Sequence, residues 1–220
     1  MKIFLDTANL DNIKYWDKKG IIDGITTNPT LLSKEGGNIN KLLKEICSIV
    51  SYGDVSIETT ETDPEKVYTQ AKEIANMANN VIVKIPCHKN YYAIIKKLIK
   101  EDIKINVTLV FTLIQGLMMC KLGVQYISPF IGRWDDIDVN GIKTIQELRI
   151  MIDEYNFKNT QIIAASIRHL RHFHDAILLG ADVATVPTSV IEKATNHPLT
   201  DQGIEKFLYD WKKLGIKQFP

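Results

Sequence analysis

Lys84 stands inside the otherwise apolar run Val81-Ile82-Val83-Lys84-Ile85-Pro86, a place where a charged amine needs either a partner or a chemical purpose. Burial disfavours the ammonium form, so a lysine in such a run tends toward a neutral and nucleophilic amine. A free lysine titrates near ~10.4, and lowering that by about three units takes roughly 4 kcal/mol of selective destabilisation of the cation. The plainer alternatives are a strand-edge lysine that snorkels to water, or a core ion pair. A neutral amine adds to a ketone to give a carbinolamine, which loses water to an iminium, and that cation draws electrons from the neighbouring carbon–carbon bond. Two proton carriers are needed. Glu58, acting through a water held by Thr108, suits the carbinolamine steps, and Asp6 suits removal of the proton from the departing hydroxyl.

Anion recognition has its own residues. Arg133 follows Ser128-Pro129-Phe130-Ile131-Gly132, and Arg168 follows Ala164-Ala165-Ser166-Ile167 at the start of a helix. Two guanidinium groups, the Ser166 hydroxyl and helix N-terminal amides make a seat for a sugar phosphate. A metal-dependent route would instead need a ligated ion. The histidines of His169-Leu170-Arg171-His172-Phe173-His174 lack the usual metal pair one helical turn apart, so a solvated helix face is expected there and no metal site.

For these residues to meet, the chain must gather its strand ends. Short β-rich runs recur at Lys2 to Asp6, Gly24 to Asn28, Asp54 to Thr59, Val81 to Ile85, Ile103 to Phe111, Gln125 to Phe130, Gln161 to Ser166 and Asp182 to Val186. Between them lies helical spacing, as in Leu42, Leu43, Ile46, Ile49 and Val50, or Ile94, Ile95, Leu98 and Ile99. Caps are expected at Asn40 and at Asp63-Pro64. Eight β/α units of about 27 residues predict an α/β fold, a single (β/α)8 TIM barrel over residues 1–220. A doubly wound sheet would want GxGxxG after its first strand, where Asp6-Thr7-Ala8-Asn9 stands instead.

In such a barrel, side-chain parity sorts the interior face from the face that meets the helices. Asn106 and Thr108 share one parity, with Val107, Leu109 and Phe111 on the other, so the polar pair is expected to look inward. Glu58 goes with Ser56, Ser128 and Phe130 with Tyr126, and Ser166 with Ile162 and Ala164. Asp6, Asn28, Glu58, Lys84, Asn106, Thr108, Ser128 and Ser166 all fall at or near strand ends, where barrel chemistry sits. Each of the short polar ones also has a plain role open to it, as a cap for the next helix.

With 45% hydrophobic and 24% charged residues, the chain suits one sizeable core, and its formal net charge of +1 gives no field to gather nucleic acid or an anionic membrane. Cys47, Cys87 and Cys120 are odd in number and scattered, which fits reduced thiols in the cytoplasm. No apolar run nears the ~18 residues needed to span a bilayer. Beyond the eight units, residues 200–216 predict an extra amphipathic helix with Ile204, Phe207, Leu208, Trp211 and Leu214 on one stripe. It either folds back over its own barrel or packs on a neighbouring subunit.

Together, Phe4-Leu5-Asp6-Thr7-Ala8, Gly24-Ile25-Thr26-Thr27-Asn28-Pro29-Thr30, Val83-Lys84-Ile85-Pro86, Asn106-Val107-Thr108-Leu109, Ser128-Pro129-Phe130-Ile131-Gly132-Arg133 and Ala164-Ala165-Ser166-Ile167-Arg168 resemble the transaldolase family, in its short bacterial and archaeal branch. The resemblance spans nearly the whole chain and continues through Gly180-Ala181-Asp182 and His197-Pro198-Leu199-Thr200-Asp201. It implies Lys84 as the Schiff-base lysine, Asp6 as acid/base for carbon–carbon cleavage, and Glu58 with Thr108 around the catalytic water. It implies further that Asn28 and Asn106 bind the dihydroxyacetone hydroxyls, that Arg133, Ser166 and Arg168 hold phosphate, and that Ser128 and Phe130 line the pocket. No cofactor is implied, and the assembly implied is a homodecamer of two pentameric rings joined through the C-terminal helix. The related fructose-6-phosphate aldolases, which release free dihydroxyacetone, tend to carry glutamine in place of Glu58 and tyrosine in place of Phe130. A tyrosine hydroxyl helps to protonate the bound enamine for release, so phenylalanine favours transfer to an acceptor. Cys87-His88-Lys89 departs from the Met-Thr pair more familiar in the family and puts the loop contacts after the lysine in doubt.

Overall fold

Runs such as Val81–Pro86 are apolar on both faces, the pattern of strands covered on both sides in a parallel sheet. The structure, a computed structural model that describes residues 1–215, closes eight strands into one parallel barrel in sequence order, the first paired to the last. The chain runs β1 (Lys2–Asp6), α1 (Leu10–Lys19), β2 (Gly24–Thr26), α2 (Pro29–Glu35), α3 (Ile39–Ile49), β3 (Asp54–Glu58), α4 (Pro64–Ala75), β4 (Val81–Pro86), α5 (Tyr92–Lys100) and β5 (Ile105–Val110). It continues through α6 (Leu113–Leu122), β6 (Tyr126–Pro129), α7 (Ile131–Asp135), α8 (Lys143–Glu154), β7 (Gln161–Ala164), α9 (Leu170–Leu178), β8 (Val183–Val186), α10 (Thr188–Thr195) and α11 (Pro198–Lys213). The expected (β/α)8 barrel with an additional C-terminal helix is present.

Strand alternation builds two cores. Leu5, Ile25, Val55, Ile57, Val81, Val83, Ile85, Ile105, Val107, Ile127, Ile162, Ala164, Ala184 and Val186 face outward into the large core shared with the helices. Phe4, Ile82, Tyr126, Ile163 and Val183 form a separate cluster inside the barrel. Phe4 meets Tyr126 edge to face at 6.2 Å, and the Tyr126 hydroxyl donates to Asp54 Oδ2 at 2.6 Å. Gly24 makes the room: a Cβ there would come within 2.6 Å of the Phe4 ring and 2.5 Å of the Asp54 carbonyl. This apolar plug closes the barrel beneath the polar residues that follow it along the strands.

Several boundaries differ from those expected, each for a local reason. β2 stops at Thr26, because Asn28 turns to cap α2, accepting the Leu31 N–H at 2.9 Å ahead of Pro29. The cap of α3 is Asn38 rather than Asn40, accepting the Lys41 N–H at 3.0 Å, whereas Asp63 caps α4 as expected. β5 is shorter than its apolar run, and its pairing with β6 shifts register between Val107 and Val110. Leu109 sits in that shift at φ +56°, so it leaves the helix-facing parity and lines the barrel mouth instead. Ser166 does not share the face of Ile162 and Ala164, which point outward. β7 ends at Ala164, and Ser166 reaches the mouth from a loop at φ +61°.

The C-terminal helix begins slightly before its predicted start, with His197 Nδ1 accepting the Leu199 N–H at 3.2 Å and Pro198 in the first turn. Residue 216 lies outside the described residues. α11 buries none of its residues, and Ile204, Phe207, Leu208 and Leu214 are each more than half exposed. On the single chain the helix leaves this stripe exposed and does not bury it over the barrel.

Candidate active site

The register of the barrel decides which polar side chains touch. Glu58 and Lys84 are direct partners across β3 and β4, and Lys84 and Asn106 across β4 and β5. Both Glu58 and Lys84 follow inward parity, so the pair meets inside the barrel: Lys84 Nζ lies 3.0 Å from Glu58 Oε2, with side-chain exposures of 6% and 12%. Nζ also donates to the Thr27 carbonyl at 3.2 Å. The strand-edge, snorkelling lysine is excluded by this geometry, and the core ion pair is present in the resting site.

Around the pair lie two hydrogen-bonded polar sets. Asn106 donates to Ser56 Oγ at 3.2 Å and accepts from Ser128 Oγ at 2.7 Å. Thr26 donates to Asp6 Oδ1 at 2.9 Å, and its hydroxyl also contacts that of Thr185. Such networks fix side-chain positions because every broken link would leave a buried polar atom unpaired. One hydroxyl stands outside both: Thr108 Oγ1 is fully buried with no hydrogen-bond partner. Burial pushes the Asp6 carboxyl above its ordinary value, outweighing the charge of Lys84 and the Thr26 hydrogen bond, which pull it down. A carboxyl whose burial favours its protonated form is suited to exchanging protons with a bound substrate.

Above these residues opens a cavity of about 730 Å³ at the C-terminal ends of the strands. Asp6, Asn28, Glu58, Lys84, Asn106, Ser128, Phe130, Arg133, Ser166 and Arg168 all line it, and Thr108 alone of the sequence-predicted residues does not. Phe130 packs edge to face on Phe111 at 6.1 Å, and the Arg133 guanidinium lies 5.8 Å from its ring. Arg168 donates from Nε to Ser166 Oγ at 3.5 Å and from a terminal nitrogen to Asp136 at 2.8 Å. Its own N–H is not offered to the cavity, since it donates to His172 Nδ1 at 3.2 Å.

Sequence reasoning missed Lys34, Thr26, Thr185 and Leu109 on the cavity wall, and the Thr27 carbonyl that holds Lys84. Inward parity was available as a signal for Thr26 and Thr185. A backbone carbonyl and a residue displaced by a register shift carry none. The histidine cluster also needs correction: His172 is buried, not part of a solvated face, and its Nε2 contacts Asp135. His169, by contrast, is exposed, and its Nδ1 caps α9 by accepting the His172 N–H at 3.2 Å. The unusual Cys87-His88-Lys89 segment lies off the cavity wall. His88 Nδ1 accepts the Asn90 N–H at 3.4 Å to start a short 3-10 turn, and burial pushes the Cys87 thiol up, away from thiolate reactivity.

Known proteins with this chain's features point one way. The family model for Transaldolase/Fructose-6-phosphate aldolase matches residues 3–218. A protein of Lactiplantibacillus plantarum named "Probable transaldolase" is 50% identical over 218 residues, covering 99% of this chain and all of that protein. Proteins of the same name from Petrotoga mobilis and Methanococcus maripaludis are 49% and 46% identical, covering 97% and 96% of this chain and 96% and 98% of their own lengths. Among solved structures, a flavocytochrome b2 variant with sulfite bound superimposes with a TM-score of 0.60 at 12% identity, over 85% of this chain and 56% of that one, a likeness of fold alone. Sequence over almost the full length and a lysine–carboxylate pair set in a closed barrel agree, and the chain belongs to the transaldolase/fructose-6-phosphate aldolase family.

Proposed function

We propose that the protein is a transaldolase. It moves a three-carbon dihydroxyacetone unit from a ketose phosphate, sedoheptulose 7-phosphate or fructose 6-phosphate, to an aldose phosphate, glyceraldehyde 3-phosphate or erythrose 4-phosphate, as in the pentose phosphate pathway. The observation that carries this reading is the buried Lys84 held 3.0 Å from Glu58, with Asp6 on the same cavity wall.

Lys84 must surrender a proton before it can attack the keto carbon, and Glu58 is the carboxylate in contact to receive it. The carbinolamine loses its hydroxyl as water when Glu58 returns a proton, relayed by a water on the Thr108 hydroxyl. That hydroxyl's lack of a protein partner supports the assignment, because a bound water would satisfy it. Asp6 then takes the proton from the hydroxyl beyond the scissile bond. The electrons of that bond pass to the iminium, the aldose phosphate leaves, and an enamine stays on Lys84. An acceptor aldehyde adds by the reverse steps, with Asp6 returning the proton and water freeing the product. Asn28 and Asn106 face the hydroxyls of the three-carbon unit, Ser128 and Phe130 shape its pocket, and Arg133, Ser166 and Arg168 receive the phosphate. None of these steps uses a cofactor.

Location in the cytoplasm is part of the same proposal, supported by three cysteines that all remain free; among the described residues no helix is long and apolar enough to cross a membrane. Assembly as a homodecamer is supported by the apolar stripe that α11 leaves exposed. The test of the activity is product analysis from fructose 6-phosphate with and without erythrose 4-phosphate. Sedoheptulose 7-phosphate forming only with the acceptor, and little free dihydroxyacetone without it, is the expected result. Efficient acceptor-free release would reassign the protein as a fructose-6-phosphate aldolase.

A further inference from the structure

Arg168 is exposed at the cavity rim, yet its backbone is tied down from behind. Its N–H donates to Nδ1 of the buried His172 at 3.2 Å, and His172 Nε2 donates to Asp135 Oδ2. Asp135 is fixed in turn, its Oδ1 accepting the Gly141 N–H at 3.2 Å. An imidazole that donates at one nitrogen can accept at the other, so the Asp135 contact selects the tautomer that Arg168 requires. Close by, the Gly132 N–H donates to the Ser166 carbonyl at 3.2 Å, and a Cβ at Gly132 would meet that carbonyl at 2.2 Å. The result is a clasp between α7, which carries Arg133, and the loop after β7, which carries Ser166 and Arg168.

Asp135, His169 and His172 also bring ligand-capable atoms within 4.8 Å of one another, the spacing of a metal centre. Both ring nitrogens of His172, however, are already engaged. Nδ1 of each histidine accepts a backbone N–H and His172 Nε2 is occupied by Asp135, so His172 has none to offer an ion without releasing Arg168. The geometry favours a mechanical role.

We infer that His172 and Asp135 are positioning residues for phosphate recognition: they hold the Arg168 backbone against α7 so that Arg133, Ser166 and Arg168 face one phosphate together. This rests on the phosphate role given above to those three residues.

Steady-state kinetics on the full-length enzyme, with fructose 6-phosphate held saturating for each variant as donor and either glyceraldehyde 3-phosphate or unphosphorylated D-glyceraldehyde as the varied acceptor, test it. In His172→Gln, which loses the acceptor at the Nδ1 position, KM for glyceraldehyde 3-phosphate is expected to rise about ten-fold with kcat little changed. KM for D-glyceraldehyde should stay at the wild-type value. His172→Asn, whose amide oxygen can occupy the Nδ1 position, should recover most of the loss. Asp135→Asn, at a more open position that spares folding, should raise the same KM about three-fold. Equal losses on both acceptors, or an unchanged KM for the phosphorylated one in folded His172→Gln or Asp135→Asn, overturn the positioning role. Arg168→Ala separates the two readings. If it removes the preference for the phosphorylated acceptor while the His172 and Asp135 variants keep it, only the positioning role fails. If Arg168→Ala leaves that preference intact, the phosphate assignment fails and the positioning role falls with it.

Discussion

Burial pushes the Asp6 carboxyl above its ordinary value while Lys84 and the Thr26 hydroxyl pull the other way, so this side chain is kept charged only at a cost to the fold. The sign of the linkage follows from that shift. Below the unfolded value of about 3.9, Asp6 is protonated in both states and costs nothing; as pH rises through the elevated folded value, stability is lost. Asp6→Asn is therefore expected to melt higher than the wild type at pH 7, with the gap closing in acid, and to lose about 10²- to 10⁴-fold in kcat. Melting curves across pH and transfer assays check both halves. The acidic limb of the wild-type kcat/KM profile should also lie above the usual carboxylate range. Thr108→Val isolates the unpartnered hydroxyl: with no protein hydrogen bond to lose, it should shift stability by under about 1 kcal/mol in urea titrations, yet lower kcat about ten-fold. Phe130→Tyr places a hydroxyl beside the enamine, and acceptor-free release of dihydroxyacetone should rise, measured directly as free product.

At the level of strands and helices, parity carried most of what could be read in advance. Val83 and Ile85 against Lys84, or Val55 and Ile57 against Ser56 and Glu58, alternate cleanly, and a closed parallel barrel is the arrangement that buries both faces while gathering the polar ends. Thr26 and Thr185 were readable by the same parity, whereas departures from regular backbone were not. Leu109 and Ser166 reach the cavity because their φ values are positive, and no side-chain pattern announces that. Asn40 and Asn38 are chemically the same residue, and only the structure tells which one accepts a helix N–H. Asn38→Ala should accordingly cost about 1 kcal/mol of stability, whereas Asn40→Ala should stay within about 0.5 kcal/mol, as read from paired denaturation curves.

For the molecule as a whole, the barrel supplies an apolar floor and a polar mouth, and α11 leaves exposed the apolar face through which we propose that the chain assembles. The sequence predicted that helix from its periodicity but left its destination open, because a stripe of apolar residues does not name the surface it meets. Ten copies of a 25.0 kDa chain give a particle of about 250 kDa, and light scattering after gel filtration should find it. Phe207→Glu, in a side chain 73% exposed on the single chain, should yield smaller species. The proposed activity depends on covalent chemistry at one buried amine. Reduction with borohydride in the presence of fructose 6-phosphate, followed by peptide mass analysis, should place a three-carbon adduct on Lys84 and on no other lysine. An enzyme that turns over under the same conditions with Lys84 unmodified would contradict it.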